Sequence, residues 1–177
     1  MLRALPLLAL LLAQAGCASW PRIVAASDPV NPSDAYMLLR PHLRTNGLVK
    51  ESVKLQLQKI EPDGSETAFG LNLETTAAQI VELPPGHYRV WLLNMLPLKK
   101  DACTFDAVAG HMNYPGDWWF EFINSLSHTS NVDGGFRFWT GGLATAVETR
   151  QAPDIESFYN AQYPAMAAKL PLVTRPQ

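Results

Sequence analysis

The sequence predicts a mainly β protein: an antiparallel β-sandwich with a short C-terminal helix and an extended N-terminal tether. Three observations lead to this fold class. Residues 52–60 alternate apolar and polar side chains, which is typical of a half-buried strand. Two β-rich runs within 79–95 flank the turn signal Pro84-Pro85-Gly86 and predict a hairpin. From residue 154 onward the apolar spacing becomes that of one helical face.

The first 16 residues are predicted to be a secretion signal. They contain one basic residue, Arg3, and a short apolar run from Leu5 to Leu12. This run is well below the roughly 18 residues that a membrane-spanning helix needs. We therefore exclude the segment from the fold and expect the mature chain outside the cytoplasm.

The end of the signal resembles a bacterial lipobox, in which cleavage after Gly16 makes Cys17 the acylated first residue. Gln14 departs from that pattern, but Cys17 lies at the right distance from the apolar run. In lipoproteins that resemble this chain, the absence of an acidic residue at Ala18 and Ser19 implies outer-membrane localisation. We therefore expect a periplasm-facing lipoprotein with a covalent lipid on Cys17.

Ordinary signal cleavage after Ala15 is the alternative, since Ala13-Gln14-Ala15 fits the small-residue rule. The mature protein would then be soluble in the periplasm or secreted. The two alternatives predict different environments for Cys103. With lipid on Cys17, Cys103 is predicted to be a small buried apolar residue, whereas without it a Cys17–Cys103 disulfide is compatible with an oxidising compartment.

We predict a lipidated tether at 17–34, one domain at 35–170 and a tail at 171–177. Residues 20–34 are rich in Pro, Ala and Ser and show no periodicity, which favours an extended segment. The domain is long enough to bury a sizeable core. The formal charge of −2, without a basic cluster, argues against nucleic-acid binding.

The predicted strands of the domain follow one another with turn signals between them. The first two strands after Ala35–Leu39 form a hairpin around Pro62-Asp63-Gly64. Residues 87–95 are apolar on both faces, so this strand is predicted to be central, with a layer over each face. In order, the strands are 35–39, 52–60, 67–74, 79–83, 87–95, 104–108, 118–123 and one or two within 136–148.

A helix is predicted at about 154–169, interrupted at Pro164. Ile155, Phe158, Tyr159 and Tyr163 share one helical face. A proline inside a helix removes a hydrogen bond and clashes one turn back, so a break near Tyr163 and a second short helical piece are expected.

Two stretches resemble known families. The stretch VELPPGHYRV at 81–90 resembles a hairpin of prealbumin-like and carboxypeptidase-regulatory-like β-sandwiches, and FDAVAGHMNYPGDWWFEF at 105–122 resembles a pattern in uncharacterised bacterial periplasmic lipoproteins. The resemblance implies a small prealbumin-like or Ig-like sandwich displayed from a membrane anchor. It implies no catalytic residues, because these families share no active site.

Residue types that support catalysis or metal binding are present but poorly arranged. Ser127-His128 and Asp133 supply the types of a hydrolytic triad, but no nucleophile elbow is present, and a polar loop is the favoured interpretation. The histidines are scattered, and Cys103 with His111 is the one pair worth inspecting for a metal. We expect no enzyme, no metal and no cofactor beyond the lipid.

Aromatic side chains near the late strands exceed what one small core requires. Half of such a set, at alternating positions, belongs to the core, and the rest are candidates for binding. We assign Trp119, Trp139 and Phe136 as candidate contacts to a partner or a glycan. The expected function is docking of the sandwich to an envelope protein, and the alternative is a carbohydrate-binding or peptidoglycan-binding accessory module. The set comprises Trp118, Trp119, Phe120, Phe136, Phe138 and Trp139.

Overall fold

The computed structural model describes residues 21–45, 52–74, 76–93, 96–97, 103–125, 130–132, 135–137 and 141–174. These ranges form a mainly β structure with two C-terminal helices, which confirms the predicted fold class. The strands are β1 (Arg22–Val24), β2 (Ala35–Leu39), β3 (Pro41–Thr45), β4 (Ser52–Ile60), β5 (Glu66–Glu74), β6 (Gln79–Leu83), β7 (Gly86–Leu93), β8 (Leu96–Pro97), β9 (Thr104–Ala107), β10 (Met112–Tyr114), β11 (Asp117–Ser125), β12 (Ser130–Val132), β13 (Gly135–Arg137), β14 (Gly141–Arg150) and β15 (Leu172–Thr174). The helices are α1 (Ile155–Gln162) and α2 (Pro164–Ala167).

The strands form a central sheet, an outer sheet and a third sheet, with a small β12–β13 ribbon beside them. The central sheet has the order β1-β6-β2-β10-β15, and the outer sheet has the order β5-β4-β7-β8 with β9 also on β7. The third sheet has the order β14-β11-β3. Three pairings are parallel, namely β10 with β15, β10 with β2 and β11 with β3, whereas an antiparallel sandwich was expected. Parallel neighbours require crossover connections, and the long excursions between these strands supply them.

The central sheet is covered on both faces. On β2, Met37 and Leu39 point into a core shared with the outer sheet. Tyr36 and Leu38 point to the opposite side, where the two helices pack. All five residues of β2 and all five of β6 are buried. The central sheet therefore lies between the outer sheet on one face and the two helices on the other.

The strand with two covered faces is not the one that the sequence predicted. On β7, Tyr88 and Val90 are buried, but His87 is exposed and Trp91 is 39% exposed. The outer face of β7 therefore meets solvent at these positions. The prediction that 87–95 is buried on both faces is wrong there, and residues 94–95 lie outside the described part of the chain.

The Pro84-Pro85-Gly86 segment connects two sheets and does not close a hairpin. β6 pairs with β1 and β2, whereas β7 pairs with β4, β8 and β9. The hairpin prediction is wrong because β6 has a partner on each edge in the central sheet. The Tyr88 hydroxyl donates to the Pro84 carbonyl at 2.7 Å and so holds the corner between the sheets.

The β4–β5 hairpin is confirmed. The register runs without a shift from Ser52 opposite Glu74 to Ile60 opposite Glu66. Val53, Leu55 and Leu57 are buried as the alternation predicted. Local signals were sufficient to predict this hairpin, because the apolar pattern and the turn chemistry agree.

The N-terminal segment is folded onto the central sheet, which corrects the predicted tether for residues 22–34. β1 pairs antiparallel with β6, and the Arg22 guanidinium forms an ion pair with the buried Glu82 carboxylate. The Tyr36 hydroxyl donates to Glu82 at 3.1 Å and accepts from the Asn31 amide at 2.8 Å. A strand of three residues is too short to show an alternation. Residues 17–20 lie outside the described ranges.

The C-terminal elements confirm the predicted break and correct the tail. α1 ends at Gln162 and α2 begins at Pro164, where a proline is tolerated in the first turn. Ile155 and Tyr159 are buried against the central sheet. Residues 172–174, predicted as part of a tail, form β15 parallel to β10. A three-residue edge strand after Pro171 carries no periodic signal of its own.

Alkaline titration is expected to show no tyrosinate near pH 10 while the protein stays folded. Burial raises the pKa of all five tyrosines above the ordinary value of about 10, and that of Tyr159 to about 12. Because the folded pKa values are raised, the neutral hydroxyls stabilise the fold fully below pH 10 and lose this contribution as the pH rises through the folded values. Tyrosinate absorbance should therefore appear together with unfolding.

The reference for this titration is the same chain in guanidinium chloride, where the tyrosines should titrate together near pH 10. Two or more tyrosines titrating near pH 10 in the chain that circular dichroism shows to be folded would contradict the described burial. The five are Tyr36, Tyr88, Tyr114, Tyr159 and Tyr163.

Candidate functional site

Of the residues that the sequence assigned to binding, the structure describes the side chain of Trp119. Cys17 and Trp139 lie outside the described residues. Phe136 lies in β13, but its side chain is not in the described part. The triad types Ser127, His128 and Asp133 also lie outside the described ranges. The site is therefore built from Trp119 and its neighbours.

Trp118 and Trp119 point to opposite sides of the third sheet. Trp118 is fully buried and packs with Phe105 in the core between the sheets. Trp119 is half-buried and points outward, as the alternation predicted. The parallel register of β11 with β3 places His42 directly beside Trp119.

The Trp119 ring contacts one imidazole and one guanidinium. The His42 ring stacks on it with centroids 4.4 Å apart and planes 11° apart. The Arg150 guanidinium carbon lies 5.3 Å from the Trp119 ring centroid, within the range of a cation–π interaction. We call His42, Trp119 and Arg150 the Trp119 patch. Arg150 is exposed.

The buried carboxylate of Asp117 fixes the orientation of His42. His42 Nε2 lies 2.8 Å from Asp117 Oδ2, so this nitrogen carries the hydrogen that the carboxylate accepts. The Tyr114 hydroxyl donates to Asp117 Oδ1, and Arg40 Nε lies 3.4 Å from the same oxygen. Burial first, and then the bond to Asp117, raise the pKa of Tyr114. These partners compensate the burial of the Asp117 charge.

Arg40 ties this network to the first helix. Its Nη1 donates to Asp154 Oδ1 at 3.1 Å, and its guanidinium carbon lies 4.3 Å from the Phe158 ring centroid. The hydrogen bond from Arg40 holds the pKa of the Asp154 carboxyl below its usual range. Arg40 therefore links Asp117, which orients His42, to Asp154 at the start of α1.

The sequence identified Trp119 but missed its supporting residues. His42 and Trp119 come together through a parallel pairing of strands far apart in the chain, and no local pattern signals that pairing. The one available signal for Asp117 was its place after Gly116 at the start of a predicted strand. Arg40 and His42 directly follow the predicted strand 35–39, and nothing in their local sequence indicates a role.

Apart from the Trp119 patch, a concave region lies between β9, β10 and β15. It is a cavity of about 500 Å³ whose polar lining includes His87, Asp106, Thr104 and Thr174. His87 Nδ1 lies 2.7 Å from Asp106 Oδ1, but both side chains are largely exposed, at 46% and 77%. An exposed pair of this kind contributes little to stability and is weakly held.

Cys103 and His111, the pair considered for a metal, serve separate roles. Cys103 is buried within the core between the sheets, as predicted for a small apolar residue. His111 Nδ1 lies 2.7 Å from the Ala109 carbonyl in a turn. Among the residues that the structure describes, no three His, Cys, Asp or Glu side chains are placed to share a metal ion.

No family model, no curated protein and no solved structure matches the chain. Neither helix in the described part is long and apolar enough to span a bilayer.

Proposed function

We propose that this protein is a non-enzymatic lipoprotein of the outer membrane, anchored through Cys17, whose β-sandwich binds an envelope protein through the Trp119 patch. The observation that carries the binding site is that neighbouring side chains hold the Trp119 ring in a fixed position. Trp119 is half-buried and stacked on His42, and His42 is held by the buried Asp117. Such a surface needs little ordering when it binds.

The residue types of the patch support a protein partner. Trp and Arg are the residues most enriched among those that dominate binding energy at protein interfaces. Arg150 is exposed and lies over the Trp119 ring, so a partner that covers Trp119 would also contact Arg150. A glycan platform needs an open aromatic face, and the His42 ring already covers part of Trp119. The geometry therefore supports the protein partner over the carbohydrate alternative.

Replacing Trp119 with alanine is expected to weaken partner binding about 30-fold or more, as for an interface residue that dominates binding. The full chain, tagged at its C-terminus, would be purified from detergent-solubilised outer membranes and analysed by mass spectrometry. The spectrum reports the lipid on Cys17. Each co-purifying protein would then be tested as a purified component by calorimetry against the wild type and Trp119→Ala.

Trp91→Ala is the control, because Trp91 is a tryptophan that solvent reaches at least as well as it reaches Trp119, and it lies on the outer sheet. It should bind the partner as the wild type does. Equal loss in both variants, or no partner that depends on Trp119, would overturn the binding site. A fluorescence change on adding peptidoglycan fragments, lost in Trp119→Ala, would instead support the glycan alternative.

A further inference from the structure

The described fold begins very close, along the chain, to the predicted lipid. Arg22 is fixed to the central sheet by the β1–β6 pairing and by its ion pair with Glu82. Cys17 precedes Arg22 by five residues in the sequence. Five residues span at most about 17 Å when fully extended. A lipid on Cys17 would therefore keep β1 within that distance of the membrane surface.

β1 forms one edge of the central sheet and β15 forms the other, with three strands between them. Neighbouring strands lie about 4.8 Å apart, so the two edges are separated by about 19 Å. An anchor at Cys17 would hold the β1 edge within about 17 Å of the membrane, while the β15 edge has no such attachment in the described part of the chain.

The composition of the β1 edge suits a phospholipid surface. Ile23 is 47% exposed, and the Arg22 side chain is 54% exposed although it binds Glu82. In the sequence, Trp20 directly precedes Pro21 and these residues, and tryptophan is enriched at membrane–water interfaces. The Arg22 charge is balanced by Glu82, with Asp28 also acting on it, so the exposed Ile23 and not Arg22 is the described residue that favours the membrane surface.

We propose that the β1 edge lies against the membrane surface, with Ile23 at the level of the lipid headgroups, and that the β15 edge faces the aqueous compartment. The inference rests on the proposed lipid anchor at Cys17. In this orientation the cavity between β9, β10 and β15 lies on the half of the central sheet that is farther from the bilayer.

Site-specific fluorescence quenching tests this orientation. The full lipidated chain carrying Ile23→Cys or Val108→Cys would be labelled with a small fluorophore and reconstituted into vesicles of phosphatidylethanolamine and phosphatidylglycerol. A fraction of the lipid would bear a nitroxide on its headgroup. Ile23 and Val108 are both branched apolar residues with similar exposure, 47% and 42%. Val108 lies next to β10, three strands from β1.

Quenching at position 23 is expected to exceed that at position 108 at least about threefold, because Val108 lies beside β10, about three strand spacings or roughly 14 Å across the sheet from β1. Inserting twenty Gly and Ser residues between Ser19 and Trp20 should reduce the quenching at position 23, since a flexible linker of that length reaches about 25 Å. The wild type is the control for labelling at Cys103, which is buried and should react little with the fluorophore.

Equal quenching at the two positions, or stronger quenching at position 108, would overturn the orientation when mass spectrometry shows the lipid on Cys17. No effect of the inserted linker would do the same. A chain without lipid, or one that does not bind the vesicles, would overturn the anchor itself and with it the inference. Failure of the orientation leaves the Trp119-dependent binding experiment unaffected.

Discussion

Replacing Asp117 with alanine is expected to lower the free energy of unfolding by about 3–5 kcal/mol. The Asp117 carboxylate is 6% exposed and accepts from the Tyr114 hydroxyl and from His42 Nε2, with Arg40 nearby. Its removal leaves the buried Tyr114 hydroxyl without this acceptor, and the largely buried Arg40 guanidinium keeps its pairing with the exposed Asp154. Chemical unfolding in urea, followed by far-ultraviolet circular dichroism, measures the change.

Asp154→Ala is the matched control, because Asp154 also binds Arg40 but is 57% exposed at the side chain. This variant should leave the free energy of unfolding nearly unchanged, since an exposed pair contributes little. Similar losses of unfolding free energy in the two variants would mean that the stability comes from pairing with Arg40 and not from the buried contacts of Asp117. In Asp117→Ala the His42 ring should also lose its fixed stacking on Trp119, which tryptophan fluorescence reports.

Gly116→Ala is expected to lower the free energy of unfolding by about 2–4 kcal/mol. Gly116 has a φ of +127°, a region that side chains rarely adopt. A Cβ there would lie 3.0 Å from the Arg150 carbonyl oxygen and 3.1 Å from the Arg150 nitrogen. These are backbone atoms of the paired strand β14, so they move only if the β11–β14 pairing shifts.

Gly64→Ala separates the two contributions. Gly64 also has a positive φ, of +82°, but a Cβ there meets no atom within 4 Å. Only the backbone conformation is unfavourable, so a loss of about 1 kcal/mol is expected. Thermal and urea unfolding of both variants would give the comparison. A loss in Gly116→Ala no larger than that in Gly64→Ala would show that β14 adjusts without difficulty.

Elements specified by neighbouring residues were predictable from the sequence. The β4–β5 hairpin has the predicted turn and the predicted inward residues, because apolar alternation and turn chemistry act over a few positions. The helical break at Pro164 follows from the covalent geometry of proline. The mainly β class and the helical end of the chain are confirmed for the same reason.

Elements specified by distant residues were not predictable. Pro84-Pro85-Gly86 is a good hairpin turn by its chemistry, but β6 is bound on both edges by β1 and β2. Here the long-range pairing of β6, and not the local turn propensity, determines the structure. The parallel pairings and the three-residue strands β1 and β15 also leave no periodic signature.

The candidate site was predictable only in part. The excess of aromatic residues identified Trp119, and alternation correctly divided Trp118 from Trp119. The roles of His42, Asp117 and Arg40 depend on which strands pair, and the sequence carries no mark of that. Lipid attachment at Cys17 and the roles of Trp139 and Phe136 remain predictions, since they concern residues or side chains outside the described ranges.

The order of strands in the central sheet has a consequence for how the protein reaches its native state. Arg22 pairs with Glu82 and Met112 pairs with Leu172, so each edge of this sheet joins residues sixty positions apart. High contact order slows folding, because the entropy of closing long loops is lost before the contacts form. The β4–β5 hairpin is local and is expected to form early. The central sheet, which supplies both core faces, can be completed only when β15 near the C-terminal end of the described chain is available, so it is expected to form last.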